Sequence, residues 1–276
     1  MNAIDVRDVS RRYGDVPALD GLSLSVERDS TFGVFGANGA GKTTLFKILL
    51  GLDRPDEGAV RVAGHSPTAG IDVREHVGYL PEHAGFPPNL TGREILTFHA
   101  RVRGVPEDSR ERRVERVLRT VGLTDAADRR VGGYSNGMNR RLGLGTTLVA
   151  DPEVLILDEP TAGLDPRGID AFHGVIESLA DDTDVTVVFS SHNLAEIEQL
   201  CDEAAIFVDG EVVARGDVDD LRQSGTVTVE MAFDSPETAR AAAAEADDYD
   251  GATVAHRSGP EVTIECASSV AYDLLR

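Results

Sequence analysis

Thr31-Phe32-Gly33-Val34-Phe35-Gly36-Ala37-Asn38-Gly39-Ala40-Gly41-Lys42-Thr43-Thr44 decides the fold of this chain. The run begins as a short apolar strand, Thr31–Phe35, and passes into a glycine-rich loop. It then opens a helix carrying Leu45, Ile48 and Leu49. From Gly36 to Thr43 it fits the pattern GxxxxGK(S/T) in the strand–loop–helix setting that gives the pattern its meaning. Glycines let backbone N–H groups turn toward phosphate oxygens with no Cβ in the way, and the helix N-terminus adds positive potential. The candidate phosphate-binding residues are therefore Gly36, Asn38, Gly39, Ala40, Gly41, Lys42, Thr43 and Thr44. Lys42 reaches the β- and γ-phosphates, and the Thr43 hydroxyl is a ligand for Mg²⁺. Only Lys42 and Lys47 are lysine among the 27 basic residues, so a lysine kept at position 42 marks a task arginine does not fill.

A second apolar strand ends in acids at Val154-Leu155-Ile156-Leu157-Asp158-Glu159. Asp158 at that tip is a candidate metal residue acting through water, and Glu159 is the candidate that polarises an attacking water. Val185–Phe189 is a third short β-branched run, and the three read as strands of a buried parallel sheet. Ala3–Val9 and Leu22–Val26 instead alternate apolar and polar residues, as half-buried antiparallel strands do. Asp209-Gly210 predicts a tight turn joining Ala204–Val208 to Glu211–Ala214. Between residues 87 and 149 helical spacing takes over, with Val114, Val117, Leu118 and Val121 behind an Arg/Glu-rich face. Residues 1–225 thus read as an α/β domain with a helical insertion. Residues 226–276 read as a small α+β domain of order β-α-β-β-α, ferredoxin-like without its final strand. In it Val227, Val229, Met231 and Phe233 share a face, Ser235-Pro236 opens an alanine-rich helix to about Ala246, and Ser269 caps a last short helix. Thr253–His256 and Val262–Cys266 are its other strands, and Ala241–Ala244 reads as solvated helix.

The chain has 276 residues, 48 acidic against 27 basic, for a formal net charge of −21. That length suits one or two domains, and a hydrophobic share of 41% is enough for a packed core. So acidic a surface repels like molecules and holds water and cations, which we read as an adaptation to molar salt. It speaks against nucleic acid as a partner, because phosphate backbones demand a basic face. No run approaches the ~20 apolar residues of a membrane helix, and the start lacks a secretory apolar core, which predicts a cytoplasmic protein. Cys201 and Cys266 are expected to be buried free thiols.

Over residues 1–225 the sequence resembles the nucleotide-binding domains of ABC ATPases. Besides the two motifs above, the resemblance is carried by four further segments. These are Tyr13 in Arg11-Arg12-Tyr13-Gly14, Tyr134-Ser135-Asn136-Gly137-Met138, Ala162-Gly163-Leu164-Asp165, and Ser190-Ser191-His192. The resemblance implies a P-loop NTPase fold and the cofactors ATP and Mg²⁺. It makes Tyr13 the ring that stacks on adenine and His192 the residue that touches the γ-phosphate and holds the attacking water near Glu159. It implies a head-to-tail dimer in which Ser135 and Gly137 bind the γ-phosphate held by the other protomer's Lys42, with Asp165 in the loop between. Glu82 stands where the family has glutamine and is the expected Mg²⁺ contact. Asn136 stands where it has glycine, tolerated because asparagine accepts φ > 0. With no membrane span of its own, the chain needs a separate permease, docking near His83-Ala84-Gly85-Phe86 and holding it to the inner face of the cell membrane. Gly78–Glu82 and Leu90–Glu94 resemble the exporter branch that pairs with ABC-2-type permeases. Ala126–Val131 and the opening residues resemble the ATPase serving copper-site maturation of nitrous oxide reductase. A hydrolysing motor is the expected function; a nucleotide-gated dimerising module with negligible turnover is the alternative, motivated by Asn136 and Glu82.

Overall fold

The computed structural model describes residues 2–68, 73–219, 221, 226–232, 235–246, 252–259 and 261–267. Two compact units emerge, Met1–Ala214 and Arg215–Arg276. The sequence texture changes about ten residues later, after Gln223-Ser224-Gly225, which lie outside the described residues.

The first unit begins with an antiparallel sheet of order β2-β1-β4, made of β1 (Asn2–Tyr13), β2 (Val16–Glu27) and β4 (Glu57–Val62). Alternation buries Leu22, Leu24 and Val26 on β2 and Ile4 and Val6 on β1. Strict alternation would turn Val9 outward. A register shift between Val6 and Val9, with Asp8 at φ +47°, returns it to the core, where it is fully buried. Gly58 on β4 lies against that bulge at φ +86°, and a Cβ there would stand 2.4 Å from the Arg7 and Asp8 carbonyl oxygens. Gly58→Ala is therefore expected to lower unfolding free energy by about 3 kcal/mol, read by denaturant titration, since backbone cannot move aside as a side chain does. A loss under about 0.5 kcal/mol would show that the bulge relaxes freely.

The second sheet holds the site. Its order is β5-β6-β7-β3-β8-β9, from β3 (Thr31–Gly36), β5 (Val77–Leu80), β6 (Val154–Leu157), β7 (Thr186–Ser191), β8 (Glu203–Val208) and β9 (Glu211–Asp217). Strands β5 through β8 in that order pair parallel. Every residue of β6 and β7 is buried, which explains the unbroken apolar run of β6 and the apolar centre Val187–Phe189 of β7. Registers Leu157↔Phe189 and Phe35↔Ser191 end β6, β7 and β3 at one edge. The three expected runs are thus neighbouring strands whose carboxyl tips share a crevice, the usual ligand position in such sheets. Strand β5 escaped the pattern reading because Gly78 interrupts it. A Cβ there would press 2.9 Å from Thr147 Cβ and 2.7 Å from Leu155 Cδ2.

Helices α1 (Lys42–Leu49), α2 (Val73–His76), α6 (Pro166–Asp182) and α7 (Leu194–Leu200) connect these strands. The helical insertion consists of α3 (Gly92–Val102), α4 (Glu107–Thr120) and α5 (Asn136–Leu148). Thr91 and Glu94 form a reciprocal capping box that starts α3. Val114, Val117, Leu118 and Val121 are all buried, as their spacing requires. Cys201 is a buried free thiol whose pKa burial pushes up; the Cys266 side chain lies outside the described residues.

The second unit contains β10 (Thr226–Ala232), α8 (Pro236–Ala246), β11 (Ala252–Ser258) and β12 (Glu261–Ala267). The sheet order is β10-β12-β11 and both pairings are antiparallel, so β12 lies between the two strands that α8 joins. Ser235 caps α8 by accepting from the Thr238 N–H at 3.2 Å. The alanine run is not wholly solvated: Ala239, Ala243 and Ala246 form a buried stripe, with Val262 and Ile264 of β12 also buried. The inward row expected at Val227, Val229, Met231 and Phe233, and the helix expected after Ser269, lie outside the described side chains and residues. Among the described residues no helix is long and apolar enough to cross a membrane.

Candidate active site

The loop between β3 and α1 begins where Gly36 ends its strand. Gly39 and Gly41 take φ of +90° and +102°, and a Cβ on Gly41 would sit 2.6 Å from the Ala18 carbonyl oxygen. Gly41 also precedes α1 as its N-cap, and no side chain caps that helix. Its first N–H groups therefore face the loop cavity, a volume of about 140 Å³ lined by Ala37–Gly39, Gly41–Thr44, Glu82 and Glu159, with Ala18 at its wall. Ala40 is buried and donates its N–H to the Ala37 carbonyl at 3.2 Å, closing the turn.

Lys42 is only 5% exposed. Its Nζ donates to the carbonyls of Gly36 and Ala37, at 2.5 and 3.2 Å, and stands 3.1 Å from Glu159 Oε1. The last contact is an ion pair without hydrogen-bond alignment, so Oε1 is a buried acceptor that remains unsatisfied. Glu159 Oε2 pairs with His192 Nδ1 at 2.8 Å. The Glu159 backbone lies at φ +43°, a strained value for a residue with a Cβ. Its N–H donates to Ser190 Oγ at 3.0 Å, which fixes the turn that aims the carboxylate back at Lys42.

Asp158 beside it accepts three hydroxyl bonds, from Ser190 at 2.9 Å, Thr43 at 3.2 Å and Tyr79 at 3.3 Å. Burial pushes its carboxyl pKa up, and those three donors oppose the shift. The Tyr79 phenol is driven up by the same burial and by Asp158. Thr43 and Asp158 thus present hard oxygen donors side by side at the loop mouth, a set suited to Mg²⁺. The Glu82 side chain is half exposed and lines the same cavity.

The other residues carried by the resemblance lie elsewhere. Tyr13 ends β1, donates its hydroxyl to Asp53 at 2.5 Å, and carries the Arg11 guanidinium 4.8 Å from its ring centre; it is 46% exposed. Ser135 caps α5, accepting from the Met138 N–H at 3.2 Å, and Asp165 caps α6, accepting from the Gly168 N–H at 2.8 Å. Gly137 packs on Gly168, where an added Cβ would come 3.3 Å from Cα. Position 136 differs from the sequence expectation. Asn136 opens α5 and is not among the residues with positive φ, so its tolerance of that region is not what preserves the loop. In the expected docking segment His83 and Gly85 are exposed, whereas Phe86 is half-buried and stands edge-on to His99 at 6.4 Å. Ser190, Tyr79 and Arg140 were missed as site residues. The first two stand within or beside quoted motifs, whereas Arg140 is one arginine among many with no local signal.

A phosphate loop at the tip of a central parallel strand, with an acid pair on the second strand over, defines a P-loop nucleotide hydrolase. Residues 19–162 match the ABC transporter family. The daunorubicin resistance ATP-binding protein DrrA3 of Streptomyces coeruleorubidus is 41% identical over 221 residues, 80% of this chain and 70% of that protein. The bacitracin transport ATP-binding protein BcrA of Bacillus licheniformis is 38% identical over 221 residues, 80% of this chain and 71% of that protein. A solved structure of the ATP binding subunit of an ABC transporter superposes with a TM-score of 0.71 at 31% identity, covering 80% of this chain and 92% of that one. The chain belongs to the ABC transporter ATP-binding family and is a transport-coupled ATPase.

Proposed function

We propose that this chain is the motor subunit of an exporter, hydrolysing Mg²⁺-bound ATP between two copies of itself while bound to an ABC-2-type permease. The observation that carries the reading is the cluster of Lys42, Glu159 and His192 beside the Thr43–Asp158 pair. Gly36, Asn38, Gly39, Gly41 and Thr44 supply the backbone cradle, Lys42 neutralises the terminal phosphates, and Tyr13 offers its exposed ring to the base. Thr43, Asp158 and Glu82 would hold the Mg²⁺, which when bound screens phosphate charge. Glu159 takes the proton of the attacking water, and His192 holds that carboxylate and the water in line. Ser135 and Gly137 at the start of α5 meet the γ-phosphate from the second protomer, with Asp165 setting the start of the neighbouring α6.

Export is supported by relatives named for drug resistance and bacitracin transport. A cleft of about 660 Å³ lined by Glu82, Phe86, Pro88, Tyr134, Asn139 and Leu164 is the docking place we assign to the permease, which would hold this chain at the inner face of the membrane. The copper-maturation reading has less behind it. In Ala126–Val131 the Ala126 carbonyl accepts the Tyr134 hydroxyl, Asp128 pairs with Arg93, and Arg129 bonds the Gly133 carbonyl. That stretch serves the packing of the insertion. The low-turnover alternative also loses support, because Asn136 has ordinary helical backbone and Glu82 lines the loop cavity.

Ser135→Ala separates the dimer's chemistry from simple binding. Turnover in phosphate release is expected to fall by about 30-fold, with nucleotide affinity of the monomer within about twofold, because the lost hydroxyl acts across the interface. Unchanged turnover, or a matching loss of monomer affinity, would sink the shared-site reading.

A further inference from the structure

The Arg140 guanidinium is 7% exposed and gives each of its five N–H donors a different backbone carbonyl. Nε bonds Pro160 at 2.5 Å, Nη1 bonds Pro81 at 2.6 Å and Glu82 at 2.8 Å, and Nη2 bonds Asp158 and Glu159 at 3.0 Å each. These carbonyls belong to two different strand tips, that of β5 and that of β6. The side chain that joins them comes from α5, five residues beyond the Ser135 cap.

We propose that Arg140 is a positioning residue that fastens α5 to the peptides carrying Glu82, Asp158 and Glu159, so that the general base is aimed only while α5 is seated. The inference rests on the functional reading above and goes beyond it, since Arg140 touches neither phosphate nor metal in that reading. Glu159 shows how the fork acts. Its strained peptide unit is held on the amide side by Ser190 Oγ and on the carbonyl side by Arg140 Nη2. These two anchors fix the backbone from which the carboxylate reaches Lys42 and His192. A displacement of α5 at Arg140, one turn in from its start, carries the fork with it and swings that peptide. Lysine keeps the charge but has three donors on a flexible stem, so at least two of the five carbonyls lose their partner. Burial pushes the Arg140 pKa down to about 10, which leaves the fork charged at neutral pH.

Arg141 supplies a matched control. It follows on the same helix and is partly buried, and its Nη1 bonds the Val121 and Gly122 carbonyls at 2.9 Å, inside the helical insertion and away from both strand tips. Purified full-length wild type, Arg140→Lys and Arg141→Lys are compared by phosphate release with Mg·ATP and by binding of a fluorescent ATP analogue. Arg140→Lys is expected to lower kcat by about 30-fold with KM and analogue affinity within about threefold, because a base misplaced by an ångström loses rate before it loses binding. Arg141→Lys stays within about threefold of wild type in all three. Equal kcat in the two variants, a parallel loss of affinity, or an Arg140→Lys chain that fails to fold where Arg141→Lys folds would each overturn the positioning role. A wild type that releases no phosphate would instead refute the motor reading itself.

Discussion

Glu159→Gln is expected to cut phosphate release from Mg·ATP by about 100-fold or more, the range a positioned general base contributes, while nucleotide binding survives. Glutamine keeps the shape of the side chain and a hydrogen bond to His192, but its amide cannot take a proton from water. Binding should hold or tighten. In the wild type the carboxylate stands 3.1 Å from Lys42 Nζ, so it competes for the ammonium that the phosphates need and adds negative charge beside them. Removing that charge is expected to strengthen affinity by up to about tenfold, as loss of a like charge at close range does. Single-turnover phosphate release and calorimetric titration read the two effects separately. More than a tenth of wild-type turnover in the variant would show that another group activates the water.

Lys42→Ala is expected to weaken Mg·ATP binding by about 100-fold, close to 3 kcal/mol, through loss of charge-assisted bonds in a buried cavity. The same substitution also has a cost in the absence of nucleotide. Glu159 is 7% exposed, and without Lys42 its carboxylate keeps His192 Nδ1 as a partner while Asp158 stands beside it. Breaking a buried pair from one side is expected to destabilise the folded chain by about 3 kcal/mol. The double variant Lys42→Ala/Glu159→Gln distinguishes the two costs: stability should recover toward wild type, whereas affinity should not. If stability stays low in the double variant, the Lys42 bonds to the Gly36 and Ala37 carbonyls, and not the ion pair, hold the loop together.

The strands and the loop that frame this cluster are legible in the sequence. The strand–loop–helix at residues 31–44 and the apolar strand ending in Asp158-Glu159 are local patterns. A parallel sheet buried on both faces favours near-continuous apolar strands, and a phosphate loop demands glycine where φ is positive. Alternation likewise announced β1 and β2, and Asp209-Gly210 announced their hairpin counterpart at β8 and β9. What stayed hidden involved departures from a period. The bulge at Asp8 keeps Val9 inside against strict alternation, Gly78 disguises β5, and the buried stripe of Ala239, Ala243 and Ala246 looks like a solvated run because alanine carries little hydropathy.

The amino-acid order by itself determined which groups exist for the chemistry: a lysine in a glycine-rich loop, an acid pair ending an apolar strand, a histidine after a strand, and the glycines that let a backbone approach an anion. Only the tertiary structure decided what those groups do to one another. Parallel pairing in register brings β6, β7 and β3 to a common edge, which sets Glu159 between Lys42 and His192 although they are far apart in the chain. Packing of α5 against the two strand tips gives Arg140 its five carbonyls. Such non-local contacts leave no periodic trace in sequence, because a buried arginine is chosen by carbonyls contributed from distant segments and not by its own neighbours.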